Sequence, residues 1–116
     1  MTAGRPGRLR SPVESDEILA AMADSTRRHL LETIASYGPA TATRLAENLP
    51  ISRQAVVKHL GVLSQAGLVT SSKHGRDVRF EVRTTGLAQT ADWLASLAAE
   101  WETRLAAIKR IAEGRG

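Results

Sequence analysis

The chain has 116 residues, of which 42% are hydrophobic and only 3% aromatic, and it carries 16 Lys and Arg against 12 Asp and Glu. Cysteine is absent, which excludes disulfides and thiolate chemistry. This length fits one domain with an aliphatic, mainly helical core. No apolar run reaches about 18 residues and no signal-peptide stretch is visible, so we expect a cytoplasmic protein that does not enter a membrane.

The positive charge is concentrated in the middle of the chain. Residues 41–83 contain seven basic and three acidic side chains, whereas residues 84–116 contain four of each. A localised basic segment is typical of proteins that bind an anionic partner such as nucleic acid.

The first residues differ in composition from the rest. Residues 1–14 are rich in Gly, Pro, Arg and Ser and have few apolar side chains. Such a segment cannot repay its ordering entropy, so it is predicted to form a flexible basic arm. Residues 15–116 are predicted to form one domain, whose first helix begins with a cap at Ser15 and ends at Met22.

Three short helices are expected next. The second helix begins at Asp24 or Ser25 and ends before Gly38, and the third opens at Thr41 or Thr43. A tight turn around Pro50 leads to a fourth helix, which is capped by Ser52 and ends before the left-handed Gly67. Two short helices joined by a few residues form the helix-turn-helix pattern.

A small hairpin and a long helix complete the chain. Residues 68–73 and 78–82 are predicted strands around a turn at 74–77, and the last helix covers about 86–112. The predicted fold is therefore mainly α with a β-hairpin wing, in the order α-α-α-α-β-β-α. This is the winged helix-turn-helix.

One face of the fourth helix is predicted to contact DNA. Val56, Leu60 and Leu63 recur at spacings of four and three, so they are buried together. Gln54 and Lys58 therefore point outward, where they offer donors for base edges and a charge for phosphate.

Three segments resemble the ArsR family of bacterial repressors, in particular its members without metal ligands. They are ADSTRRHLLETI (23–34), TRLAENLPISRQAVVKHLGVLSQAGLV (43–69) and GRDVRFEV (75–82). The resemblance implies a winged-helix dimer that occupies an operator and leaves it when a signal arrives. It also implies DNA contacts by Ser52, Arg53, Gln54 and Lys58, with Arg76 at the wing tip.

The full candidate set for DNA binding adds Thr43, Val57, Lys73 and His74. Two positions depart from the family pattern. Val57 stands where a small hydroxyl residue is common, so it either touches a thymine methyl or weakens the contact. Gly61 stands where a basic residue is common, and glycine costs roughly 1 kcal/mol of helix preference relative to alanine.

The last helix carries a heptad seam. Apolar residues recur every seven positions, with a second series offset by four: Leu87, Leu94, Trp101, Ile108 and Ala91, Ala98, Leu105, Ala112. This seam packs either on its own domain or on the same helix of a second subunit. We favour a homodimer held by Leu94, Trp101, Leu105 and Ile108. Trp93 and Leu97 either line a pocket for an unidentified small-molecule effector or thicken the core or interface.

Metal sensing and catalysis are not expected. The histidines are His29, His59 and His74, none of them on the last helix, so neither a metal site nor a cofactor is predicted. No nucleophile with a partnered base, phosphate loop or carboxylate pair is recognisable, which argues against an enzyme. The predicted function is a sequence-specific double-stranded DNA-binding regulator, a homodimeric repressor on a pseudo-palindromic operator. The alternative is a winged helix used for protein or RNA contact.

Overall fold

The computed structural model describes residues 13–114, so most of the predicted arm lies outside the described residues. The elements are α1 (Val13–Met22), α2 (Ser25–Tyr37), β1 (Ala40–Thr41), α3 (Ala42–Ala46), α4 (Arg53–Gln65), β2 (Val69–His74), β3 (Asp77–Val82) and α5 (Thr85–Gly114). This order confirms the predicted winged helix-turn-helix, with β1 as an addition.

Three helices begin at side-chain caps. Asp24, Thr41 and Ser52 each accept a hydrogen bond of 3.1 Å from the backbone N–H three residues further on. Each bond satisfies one of the donors that a helix leaves unpaired in its first turn. At Asp24 the N–H of Arg27 donates to the carboxylate, and this bond lowers the pKa of Asp24 below its usual value.

The predicted cap at Ser15 is wrong. α1 begins at Val13, and Ser15 lies inside the helix with 1% of its surface exposed. Its Oγ is 2.8 Å from Oγ1 of Thr90 on α5. Because α1 packs along the start of α5, a hydroxyl that could have capped the helix is instead buried between the two helices.

The hairpin is part of a three-stranded sheet in the order β1-β3-β2, with both pairings antiparallel. Ala40 pairs with Phe80 and Thr41 with Arg79. A strand of two residues has no visible alternation, so the sequence gives no signal for β1. Its pairing with β3 ties the start of α3 to the wing.

The core lies between the first four helices and the base of the hairpin. Its fully enclosed members are aliphatic: Ile18, Leu30, Ile34, Leu45, Val56, Leu60, Leu63, Leu68 and Val69. α4 ends in a Schellman motif, because Leu68 N–H donates to Leu63 O (2.9 Å) and Gly67 N–H donates to Ser64 O (3.0 Å). Gly67 has φ +79°, as predicted for this terminator.

α5 has 30 residues and is therefore about 45 Å long. Its first turns pack on α1, where a Cβ added to Gly86 would lie 2.7 Å from Cδ1 of Ile18. Thr90 is its one buried residue. Among residues 13–114 no helix is both long and apolar enough to cross a membrane.

Candidate nucleic-acid interface

The exposed face of α4 carries predicted DNA-binding side chains. Val56, Leu60 and Leu63 have no exposed surface, so the core fixes the rotation of α4 about its axis. Gln54 and Lys58 lie on its exposed surface. Neither side chain has a hydrogen-bond or ion-pair partner in residues 13–114, so both can meet an external partner.

Arg53 is oriented by the preceding helix. Its Nε donates to Oγ1 of Thr43 at 3.0 Å, and this bond joins α3 to α4 at the surface. The terminal guanidinium nitrogens keep their donors available, in a planar arrangement suited to guanine or phosphate. Thr43 therefore directs the arginine that begins α4.

Ser52 caps α4 in addition to its predicted contact with DNA. Its Oγ accepts the N–H of Ala55 as the cap of α4. A hydroxyl that accepts in this way still has its proton to donate, so the cap and a phosphate contact are compatible at this residue.

A groove runs between the helix-turn-helix and the wing. We call it the α4–wing groove. Its lining includes Thr43, Arg53 and Val57 from the helices and Arg76, Val78 and Phe80 from the hairpin. The structure thus brings together four residues that the sequence predicts separately: Thr43, Arg53, Val57 and Arg76. Gln54, Lys58, Lys73 and His74 lie outside this lining.

The wing tip is a two-residue turn. His74 pairs with Asp77, which leaves Gly75 and Arg76 as the central residues. Gly75 has φ +64° and no non-glycine residue among those described has a positive φ, a combination that fits a type II′ turn. Arg76 therefore stands at the tip of the hairpin, as predicted.

Lys73 and His74 lie on opposite faces of the wing, because successive residues of a strand alternate. Lys73 pairs with Val78 and shares the face of the α4–wing groove. The Nε2 atom of His74 is 3.0 Å from Oγ of Ser72 on the other face. A single flat surface therefore does not contain both side chains.

Two arginines outside the predicted set lie beside this region. Arg44 and Arg79 line a second groove, here called the outer groove, together with Tyr37, Thr41 and Asp77. Alternation within β3 signals that Arg79 lies on the face opposite Phe80. Its proximity to Arg44 depends on the pairing of β1 with β3, which the sequence does not reveal.

The end of α5 presents an apolar surface. The exposed fraction is 42% for Leu94, 54% for Trp101, 65% for Leu105 and 61% for Ile108. Ile111, which the heptad count omits, is 65% exposed. All four predicted dimerisation residues are therefore exposed in a single chain, and Trp101, Leu105 and Ile108 by more than half of their surface.

Trp93 and Leu97 are half-buried on α5. The indole Nε1 of Trp93 is enclosed and has no hydrogen-bond acceptor within the described residues. The interpretations of this pair as effector pocket or as packing both stay predictions.

The described residues contain no group of three or more His, Asp or Glu side chains arranged to hold a metal ion. His29 lies on α2 and His59 on α4. Residues 13–114 therefore give no support to a metal site.

A family model for a helix-turn-helix domain matches residues 22–72, which span α2, α3, α4 and the first residues of β2. Two curated relatives each align over 79 residues and 68% of this chain. The HTH-type transcriptional regulator Rv2034 of Mycobacterium tuberculosis is 43% identical over 70% of its length. The transcriptional repressor SdpR of Bacillus subtilis is 29% identical over 87% of its length.

Similar solved structures are also transcriptional regulators. An ArsR-like transcriptional regulator from Rhodococcus sp. RHA1 is 43% identical, and the match covers 85% of this chain and 92% of that one with a TM-score of 0.78. A second structure, an ArsR family regulator designated RHA00566, is 30% identical over 80% of this chain and 95% of its own, with a TM-score of 0.70. These relatives are transcriptional regulators rather than enzymes, which confirms the non-enzymatic prediction.

Proposed function

The chain belongs to the ArsR family of helix-turn-helix transcriptional regulators, and we propose that it is a homodimeric repressor that acts in the cytoplasm on a pseudo-palindromic DNA operator. The observation that carries this proposal is the α4–wing groove. Arg53 is held there by Thr43 at 3.0 Å, and Arg76 lines the same groove from the wing.

In the proposed complex the amino end of α4 enters the major groove. Gln54 and Arg53 read adenine and guanine edges, since their donors have the required bidentate geometry. Lys58 lies one turn further along α4 and Arg76 at the wing tip. These two cations hold the phosphate backbone, with contributions from Ser52, Thr43, Lys73 and His74.

The exposed apolar end of α5 supports the dimer. Leu94, Trp101, Leu105 and Ile108 form a seam that a single chain leaves in water, where it would favour association. A partner helix packed along it would bury these side chains around a two-fold axis. The same axis would present two α4 helices to successive major grooves, about 34–36 Å apart.

The repressor role rests on SdpR, which is a transcriptional repressor. For this chain we propose that the dimer blocks a promoter and is released by a signal other than a transition metal. A small-molecule effector of unidentified chemistry fits this scheme.

The proposal is tested by selection of bound duplexes from fragmented genomic DNA. We expect the full chain to enrich a promoter fragment with two half-sites related by a dyad. A double variant, Arg53→Ala with Gln54→Ala, should lose this enrichment. Gln65→Ala, exposed at the far end of α4, is the matched control and should keep it. Enrichment of RNA in a parallel selection, or of no duplex at all, would contradict the proposal.

A further inference from the structure

The outer groove is lined by two cationic side chains that have no ion-pair or side-chain hydrogen-bond partner among the described residues. The guanidinium groups of Arg44 and Arg79 both line it. In residues 13–114 neither group has an ion-pair or side-chain hydrogen-bond partner. Two arginines facing one concave surface repel each other, so the arrangement is favoured by an anion between them.

One residue holds both arginines in position. Thr41 is the residue opposite Arg79 in the β1–β3 ladder. Its Oγ1 also accepts the backbone N–H of Arg44 at 3.1 Å, as the cap of α3. The backbones of both arginines are therefore tied to Thr41, and both residues line the same groove.

The outer groove adjoins the proposed DNA surface. Thr41 and Asp77 line both the outer groove and the α4–wing groove. A duplex seated on α4 and the wing tip would therefore continue past this flank. Tyr37 also lines the outer groove and is 83% exposed, and its hydroxyl supplies a further donor.

We propose that the outer groove binds a phosphate of the DNA backbone outside the bases that α4 reads, an inference that rests on the proposed function. Guanidinium groups suit phosphate because they donate in a planar fork and stay charged. Arg44 and Arg79 supply the charge, and Tyr37 adds a neutral donor. The Asp77 carboxylate also lines the groove and offsets part of the charge, which leaves a net positive site.

The test measures affinity for a random-sequence 30-base-pair duplex and for the selected operator across a salt series, by fluorescence anisotropy. Arg44→Gln and Arg79→Gln remove the charge but keep a polar side chain with an aliphatic stem. Each should weaken binding and flatten the slope of log affinity against log salt by part of the value of about 0.9 that one phosphate contributes, equally on both duplexes. Because both arginines hold one phosphate, the double variant should flatten the slope by about 0.9 in total, and Asp77→Asn should tighten binding to both.

Arg83→Gln is the matched control. Arg83 is exposed and follows β3 directly, four residues and thus about 13 Å from Arg79, so its loss should leave the slope unchanged. Tyr37→Phe should weaken binding on both duplexes without changing the slope. Thermal unfolding by circular dichroism verifies that each variant is folded.

The outcomes separate this proposal from the proposed function. If the unmodified chain binds both duplexes but folded Arg44→Gln and Arg79→Gln keep its full slope, the outer groove does not hold a phosphate. Saturable binding of inorganic phosphate that does not compete with DNA would assign the groove to a free anion and overturn the proposal. If the unmodified chain shows no duplex binding at any salt concentration, the proposed function itself fails.

Discussion

The hydroxyls of Ser15 and Thr90, 75 positions apart in the chain, form a hydrogen bond of 2.8 Å in the buried contact between α1 and α5. Thr90 Oγ1 also donates to the carbonyl of Gly86 at 2.9 Å. Because Thr90 has only one hydroxyl proton, Ser15 must be the donor in the bond between them. This pair joins the first helix to the long helix that carries the proposed dimer seam.

Thr90→Val should destabilise the fold by about 1–3 kcal/mol, because it leaves the Ser15 hydroxyl buried without an acceptor. Adding Ser15→Ala should recover most of this loss, since replacing both partners by apolar groups is nearly neutral. Urea unfolding of Thr90→Val, Ser15→Ala and the double variant measures the coupling.

Thr103→Val is the matched control for this cycle. Thr103 makes the same hydroxyl bond to the carbonyl four residues back, at 3.0 Å, but on an exposed face. It should change stability little. Equal losses at Thr90 and Thr103, with no recovery in the double variant, would show that the buried pair is not coupled.

Replacement of Gly61 and of Gly67 by alanine should change the stability of the protein in opposite directions. A Cβ added to Gly61 in α4 meets nothing within 4 Å, so Gly61→Ala should stabilise the protein by about 0.5–1 kcal/mol through helix preference. Gly67 also has space but has φ +79°, so Gly67→Ala should destabilise it by about 1–2 kcal/mol. Thermal unfolding compares the two, and a gain at Gly67 would contradict the backbone argument.

The proposed division between side chains that contact base edges and side chains that contact the phosphate backbone predicts two classes of variant. Gln54→Ala and Arg53→Ala should cost about 1–3 kcal/mol on the operator and leave non-specific binding nearly unchanged. Lys58→Ala and Arg76→Ala should weaken operator and scrambled duplex alike and flatten the salt slope by about one unit.

Binding of all four variants to both duplexes across a salt series provides the measurement. The bond from Arg53 to Thr43 adds an internal control, because Thr43→Val should reproduce part of the Arg53→Ala effect without removing charge. Loss of discrimination in Lys58→Ala, with discrimination intact in Gln54→Ala and Arg53→Ala, would show that α4 is docked differently.

The dimer seam is tested by charge. Trp101→Glu should convert the dimer to monomers in sedimentation and abolish operator binding, because an unpaired carboxylate in a buried seam costs several kcal/mol. Thr103→Glu adds the same charge on the face of α5 away from the heptad seam and should leave the dimer intact. A dimeric Trp101→Glu variant would mean that the seam does not form the interface.

Operator binding should not respond to transition metals. Zinc, nickel and copper at micromolar concentrations, with a chelator as control, should leave the complex unchanged, because the chain has no cysteine and three histidines. A saturable release of DNA by one of these metals would refute this prediction.

The sequence by itself determined the elements whose signals are local. Asp24 and Ser52 predict the starts of α2 and α4 because their side chains can accept a nearby backbone N–H. Gly67 predicts the end of α4 because glycine tolerates a positive φ. The spacing of Val56, Leu60 and Leu63 fixes which face of α4 is buried. Gly75 likewise centres the hairpin turn that carries Arg76.

Only the tertiary structure decided what depends on partners distant in the chain. Ser15 has the chemistry of a cap, yet the packing of α1 on α5 buries it against Thr90. The two-residue β1 exists because β3 pairs with it, and this pairing brings Arg44 beside Arg79. Contacts of this kind form only when distant segments pack together around the core, so no local pattern of residue types predicts them.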